Sequence, residues 1–186
     1  ESLESIGDRA FARCESLKSI TIPKNLTNIR TGAFRDTKLS SITVDPENTV
    51  YCGADGLLLS ADKTVLFCYP AGREDANYTL PDYVTHISSY AFSNSKSLRT
   101  IILQKPLRSI EVGAFENCQN LEEIDMPLLE TTGNYCFRSC NALRKINMPN
   151  LKTASYHAFS YKRCHYTTED FYFPNLETLE NGAFAY

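Results

Sequence analysis

No apolar run in this 186-residue chain approaches the roughly 18 to 20 residues that a membrane span requires. The start, Glu1-Ser2-Leu3, does not open a charged region followed by an apolar one. There is no basic block either: 19 basic against 22 acidic residues leave a net charge of −3, so nucleic-acid binding through phosphate neutralisation has no support. The three histidines, His86, His157 and His165, come without a nucleophile motif, and a catalytic triad needs a base beside a nucleophile. No D-x-D-x-D-G loop surrounds Asp45, Glu47, Asp55 or Asp62, which read as turn formers rather than calcium ligands. What remains, with 42% hydrophobic residues, is a folded chain.

What the chain does contain is a repeat. Phe recurs at 11, 34, 92, 115, 137, 159 and 184, preceded by Ala each time except at Cys136. Successive spacings of 23, 58, 23, 22, 22 and 25 define a unit of 22 to 23 residues, the long gap being one unit plus an insertion. The frame around each Phe also returns: Leu3-x-x-Ile6, Ala10-Phe11-x-x-Cys14, then Leu17-x-x-Ile20-x-Ile22-Pro23, with later copies ending in Ile124-x-Met126-Pro127 and Ile146-x-Met148-Pro149.

Ile20-Thr21-Ile22 alternates apolar and polar residues, as a short strand with one buried face does, and Pro23 stops it by removing a ladder donor. The equivalents Ile42/Val44, Ile101/Leu103, Ile124/Met126, Ile146/Met148 and Phe171/Phe173 predict six strands stacked in one parallel sheet. Leu26-x-x-Ile29 and its copies predict a second short extended piece. Ala-Phe-x-x-Cys is too short for a long helix and is expected to form a helical turn, its Phe filling the space between layers. The predicted fold class is therefore an α/β solenoid, strand-rich, whose units bury their apolar residues only by stacking. Residues 1–186 are expected to form a single solenoid domain, part of a longer array, with a β-hairpin insertion at 45–83. Leu57 to Leu59 and Thr64 to Tyr69 supply its strands around the turn Ser60-Ala61-Asp62-Lys63.

Ala-Phe-x-x-Cys-x-x-Leu-x-x-Ile-x-Ile-Pro at 10–23, with its copies, resembles the BspA-like leucine-rich repeats, found chiefly on bacterial and protozoan surfaces. Asn48, Tyr51, Asp55-Gly56, Leu57 to Leu59 and Tyr69-Pro70 are similar to that family's hairpin insertion. The resemblance implies a curved leucine-rich-repeat solenoid, a right-handed superhelix, located extracellularly or on a cell surface, and for some members adhesion to host proteins. It implies no catalytic residues and no cofactor. Two departures stand out: Thr168 occupies the slot of Leu17, and Phe159 to Phe171 is three residues longer than Phe11 to Ile20, so 161–169 is expected to bulge as a loop.

Seven cysteines cannot all pair within one chain. Cys14, Cys118 and Cys140 share one repeat slot, and Cys136 replaces an Ala, which favours buried small thiols. Cys136-x-x-x-Cys140 with Cys164-His165 lacks the tighter, repeated spacing of structural zinc sites, so no metal is expected. Cys52 and Cys68 lie off the repeat inside the insertion, where a disulfide and two free thiols are the competing readings. Asn25-Leu26-Thr27 and Asn77-Tyr78-Thr79 match the glycosylation acceptor pattern.

Binding is expected on the strand face turned away from the core. There Ser19/Thr21 and Ser41/Thr43 give way to Thr100/Ile102, Glu123/Asp125, Lys145/Asn147 and Asp170/Tyr172. The candidate binding residues are Thr100, Ile102, Glu123, Asp125, Lys145, Asn147 and Tyr172. Glu123 and Lys145 have a second reading as a cross-strand pair. The expected function is an adhesion or interaction module for a protein ligand, host matrix or serum protein among them, ahead of a glycan. The competing expectation is a structural spacer in a larger surface protein.

Overall fold

The computed structural model describes residues 2–103, 107–160 and 172–185. The strands run, in chain order, β1 (Ser5–Ile6), β2 (Ser19–Ile22), β3 (Asn28–Ile29), β4 (Ser41–Val44), β5 (Tyr51–Ala54), β6 (Leu57–Ser60), β7 (Val65–Cys68), β8 (Asn77–Leu80), β9 (His86–Ile87), β10 (Thr100–Leu103), β11 (Glu123–Asp125), β12 (Lys145–Asn147), β13 (Thr153–Ala154) and β14 (Thr178–Leu179). Among the described residues, a typical coil carries one strand of the Ile-x-Ile type, a turn at or near the following Pro, a second short extended piece, and the Ala-Phe turn that leads to the next coil.

The α/β expectation is wrong: among the described residues there is no helix, and the solenoid is all β. The reason is the backbone of the Ala-Phe segment. The described residues two before and two after the repeat phenylalanines take positive φ, among them Arg9 (56°) and Arg13 (63°), Tyr90 (61°) and Asn94 (63°), Tyr135 (58°) and Ser139 (60°). A left-handed residue every fourth position prevents right-handed helical propagation. Alternate N–H groups then serve different partners. In the Phe115 coil, Ala114, Glu116 and Cys118 donate three residues back to Glu111, Gly113 and Phe115, closing turns. Gly113, Phe115 and Asn117 instead donate to Asn134, Cys136 and Arg138 of the next coil, at 2.8, 2.8 and 2.7 Å. The turn is thus a second ladder running between coils.

The Phe side chains stack along the axis. Phe92, Phe115, Phe137 and Phe159 are fully buried, with neighbouring centroids 4.9 to 5.3 Å apart and planes within 14°. Phe184 continues the column at 5.0 Å, and Tyr69 begins it 4.9 Å from Phe92. The thiols of Cys118 and Cys140 donate to the Phe92 and Phe115 carbonyls at 3.0 and 3.1 Å, so the recurring Cys both fills space and satisfies a buried acceptor.

The strands do not form one continuous sheet. β2 and β4 pair in parallel, and β8, β10, β11 and β12 form a separate parallel sheet. The described part of the expected sixth strand does not pair in it, and Phe171 lies outside the described residues, as does 161–169. β8 joins β10 in register, Tyr78 opposite Ile101 and Leu80 opposite Leu103. Between the two sheets, β5, β6 and β7 form an antiparallel meander, and β7 then pairs in parallel with β9. All of Leu57, Leu58 and Leu59 are fully buried because β6 stands between two cores. Leu57 and Leu59 belong to the cluster running to Ala183, and Leu58 to the smaller cluster with Ile22, Leu26, Phe34 and Ile42.

Candidate functional site

Stacking at a 22-to-23-residue period sets equivalent side chains side by side. In β10, β11 and β12, Thr100 is level with Glu123, which is level with Lys145; on the next outward row Asp125 is level with Asn147. Six of the seven candidate binding residues, Thr100, Ile102, Glu123, Asp125, Lys145 and Asn147, thereby line one groove of about 640 Å³, whose wall is completed by Leu103, Pro127 and Leu128. Its apolar part is open to solvent: Ile102 is 50% and Leu128 36% exposed. Its polar part is internally matched. Lys145 Nζ lies 3.5 Å from Glu123 Oε2, and Asn147 Nδ2 donates to Asp125 Oδ1 at 2.7 Å. Exposed pairs of this kind contribute about 0 to 1 kcal/mol, so their effect is to hold side-chain directions rather than to stabilise the fold.

Charge ladders flank the groove. Arg99 and Arg144 both bond to Glu122, at 2.7 and 2.6 Å, and Lys152 and Arg108 both bond to Glu130. The two cations hold each of these carboxyls below the ordinary Glu range: Arg144 acts more strongly than Arg99 on Glu122, and Lys152 more strongly than Arg108 on Glu130.

Tyr172 is the seventh candidate, 74% exposed and not among the residues lining the groove. Partly exposed aromatics gather elsewhere, at or beside the left-handed positions of the Ala-Phe turns. Tyr135 meets Tyr156 edge-on at 5.3 Å, His157 stacks on Tyr135 at 5.9 Å, and the Arg138 guanidinium lies 5.3 Å from the Tyr135 centroid. One coil group earlier, Arg35 covers Tyr90 at 4.6 Å. Tyr90 also explains a glycine: at Gly113 a Cβ would fall 2.3 Å from its ring. This cluster was missed because nothing in a Tyr or His two residues before Phe announces a left-handed backbone. Gly32, Gly113 and Gly182 in the same slot were the available signal.

The insertion carries no disulfide. Cys52 and Cys68 are free thiols, on β5 and β7, which flank β6 on opposite sides. Two strand spacings of about 4.8 Å separate them, beyond the Cα reach of about 7 Å for a bridge. Cys52 Sγ donates to Ser60 O at 3.3 Å, and burial pushes the Cys68 thiol up to about 12. The acidic residues are turn formers: Asp45 Oδ1 accepts the Glu47 N–H, and Asp62 Oδ1 accepts from Ser60 and from both Thr64 donors. Among the described residues no group of three His, Cys, Asp or Glu side chains is placed to hold a metal ion; Cys164 and His165 lie outside them. His86 is paired with Glu111 at 2.6 Å, and His157 lies among the tyrosines. Asn25 and Asn77 of the acceptor tripeptides are both exposed.

Residues 1–54 and 72–186 match the BspA type leucine-rich repeat region, in six copies; the unmatched residues span the β6–β7 part of the meander. Three solved structures share the fold. A leucine-rich repeat protein from Eubacterium ventriosum is 22% identical with a TM-score of 0.75, over 100% of this chain and 62% of that one. The pneumococcal vaccine antigen PcpA is 22% identical with a TM-score of 0.56, over 98% of this chain and 46% of that one. A leucine-rich cell surface protein from Faecalibacterium prausnitzii is 24% identical with a TM-score of 0.57, over 97% and 58%. The chain therefore spans less than two thirds of the length of each. No curated protein matches it.

Proposed function

Since the chain belongs to the BspA-type leucine-rich-repeat family, we propose that it is an extracellular or cell-surface interaction module that holds a protein ligand across the outward face of β10 to β12. Family members serve structural and adhesive roles rather than catalysis, and the relative from Faecalibacterium prausnitzii is a cell surface protein. Among the described residues no helix is long and apolar enough to cross a membrane.

The observation that carries the reading is the groove of about 640 Å³ in which exposed Ile102 and Leu128 sit beside Glu123, Lys145, Asp125 and Asn147. Apolar surface framed by oriented polar groups is the usual make-up of a protein-binding patch. A protein ligand fits better than a glycan because the groove itself carries no aromatic ring. The spacer reading has its own support, since the polar pairs of this face are satisfied internally.

The experiment that separates them is capture of matrix and serum proteins on the immobilised chain, compared with the double variant Glu123→Lys plus Asp125→Lys. A lost or at least tenfold weakened interaction, about 1.4 kcal/mol, is the expected result. Capture unaffected by the double variant removes this face as the site, and no capture at all favours the spacer.

A further inference from the structure

Two of the cysteines occupy one slot in neighbouring coils. Cys118 and Cys140 each lie three residues after a repeat Phe, and both are fully buried and reduced. The coils that carry them are held together beside the slot, where Asn117 N–H donates to Arg138 O at 2.7 Å. The two residues meet at one carbonyl: Phe115 O accepts the Cys118 N–H at 3.2 Å and the Cys140 S–H at 3.1 Å. The Cys140 thiol is also within hydrogen-bonding reach of the Cys118 thiol. Backbones paired in this way lie about 4.8 Å apart, inside the Cα window of about 4.4 to 6.8 Å that a disulfide spans.

Among the described residues no other two cysteines share a slot in this way. Cys14 has Thr37 in the slot of the next coil, Cys136 has Ala114 and Ala158 on either side of it, and β6 separates Cys52 from Cys68. Joining the Cys118 and Cys140 sulfurs also strands no acceptor. The two thiols donate to Phe92 O and Phe115 O, and each of these carbonyls has a second donor, the N–H of Ser95 and of Cys118, at 3.2 Å. Removal of both S–H groups therefore leaves every one of these buried groups satisfied.

We infer that Cys118 and Cys140 are a modification site, oxidised by a low-molecular-weight disulfide to a bond that staples the coil of β11 to the coil of β12. Those coils carry Glu123, Asp125, Lys145 and Asn147 of the groove, so the bond ties together two of the strands across which the proposed ligand lies. It needs an oxidising compartment and in that respect rests on the surface location proposed above. One cysteine thiolate attacks a sulfur of the small disulfide and expels half of it as a thiolate; the second cysteine then attacks the mixed disulfide and expels the other half. The protein loses two hydrogens, and the small disulfide is reduced to two thiols. Burial pushes the Cys140 thiol up, and shielded thiols are poor nucleophiles. The bond therefore forms before the core closes, and the closed core protects it.

The test is to refold the reduced chain with oxidised and reduced glutathione, alkylate the remaining thiols and map the peptides by mass spectrometry. Trypsin with a Glu-specific protease places Cys118, Cys136 and Cys140 on three separate peptides. The expected product links the Cys118 and Cys140 peptides and lacks the mass of two hydrogens. Its urea midpoint is expected to exceed that of the reduced chain, and dithiothreitol is expected to open the bond at least about tenfold more slowly in the folded chain than in urea. Cys136→Ala, which restores the usual residue of its slot, is expected to keep the bond; Cys140→Ser is expected to lack both the bond and the added stability. Four results overturn the assignment: both cysteines alkylated after refolding; another cysteine in the place of either; a lower midpoint for the oxidised chain; or equally fast reduction of the folded and unfolded chains. All are read on the purified chain without a ligand, so they stand apart from the outcome of the capture experiment.

Discussion

Two stacks built from one repeat lie on either side of the meander, and they are buried to different depths. In the C-terminal stack Phe92, Phe115, Phe137 and Phe159 are fully buried and each ring touches another on both faces. In the N-terminal stack Phe11 is half-buried and, among the described rings, stacks on Phe34 alone, 5.7 Å away. Cys14 is exposed where its counterparts Cys118 and Cys140 are buried and bonded. A coil is thus only as stable as its neighbours allow, as expected for a nearly one-dimensional array. The N-terminal stack offsets its small number of coils by leaning on the meander, whose Tyr51, Leu58 and Cys68 complete its core. Arg35 adds a clasp: it reaches Glu116, at 2.9 Å, while its guanidinium covers Tyr90.

The strongest way to break this comparison is to remove one ring from each stack. Phe115→Ala takes a fully buried ring from between two others and is expected to cost about 3 to 5 kcal/mol. Phe11→Ala, with one ring neighbour and partial exposure, is expected to cost about 1 to 2 kcal/mol. Urea denaturation of both variants measures the difference, and equal losses mean that coil position does not set stability.

The meander sharpens the comparison because one strand serves both stacks. Leu58→Ala and Leu59→Ala each leave a cavity worth about 2 to 5 kcal/mol, but on opposite sides of β6. Leu58→Ala is expected to speed amide exchange in β2 and β4, and Leu59→Ala in β8 and β10. If both variants loosen the same strands, the two cores act as one.

Much of this was legible in the residues. The Phe period locates the columns, Ile-x-Ile-Pro locates the strands, and a fixed period puts Thr100, Glu123 and Lys145 side by side. The misread parts have physical causes. Tyr78-Thr79-Leu80-Pro81 follows the strand frame, yet an aromatic in the Ile slot hid β8 inside the insertion. The helical turn was inferred from spacing alone, and spacing is silent about φ. Asp36, Asn94 and Asn117, two residues after Phe, together with the glycines two before, carried that information, since these are the residue types most at ease with positive φ. The division of labour along Leu57-Leu58-Leu59 was out of reach, because a wholly apolar run says that both faces are buried but not against what.

The smallest expected effect, and the one that probes the boundary between the stacks most directly, is electrostatic. Glu111 and Glu116 lie on one coil and are shifted in opposite directions. Burial pushes Glu111 up, but hydrogen bonds from the Ser89 hydroxyl, His86 and the Ser89 N–H outweigh it, so its carboxyl sits below the ordinary Glu value. Burial also pushes Glu116 up, and Arg35 followed by Arg138 offsets this only in part, so its carboxyl sits above. A depressed acid stabilises the fold above its unfolded pKa, near 4.3, and that stability is lost as pH falls through the lower folded value. A raised acid does the reverse: the folded state holds the proton more tightly, and stability declines as pH rises from the unfolded value through the folded one. Glu111→Gln is therefore expected to flatten the loss of stability on the acid side of about pH 4.3, and Glu116→Gln to flatten the decline just above it. Urea midpoints taken between about pH 3 and pH 7 resolve the two limbs. Parallel profiles for the two variants contradict the opposed shifts, and with them the picture of Glu111 as bound to Ser89 and His86 and Glu116 as strained by its burial beneath Arg35.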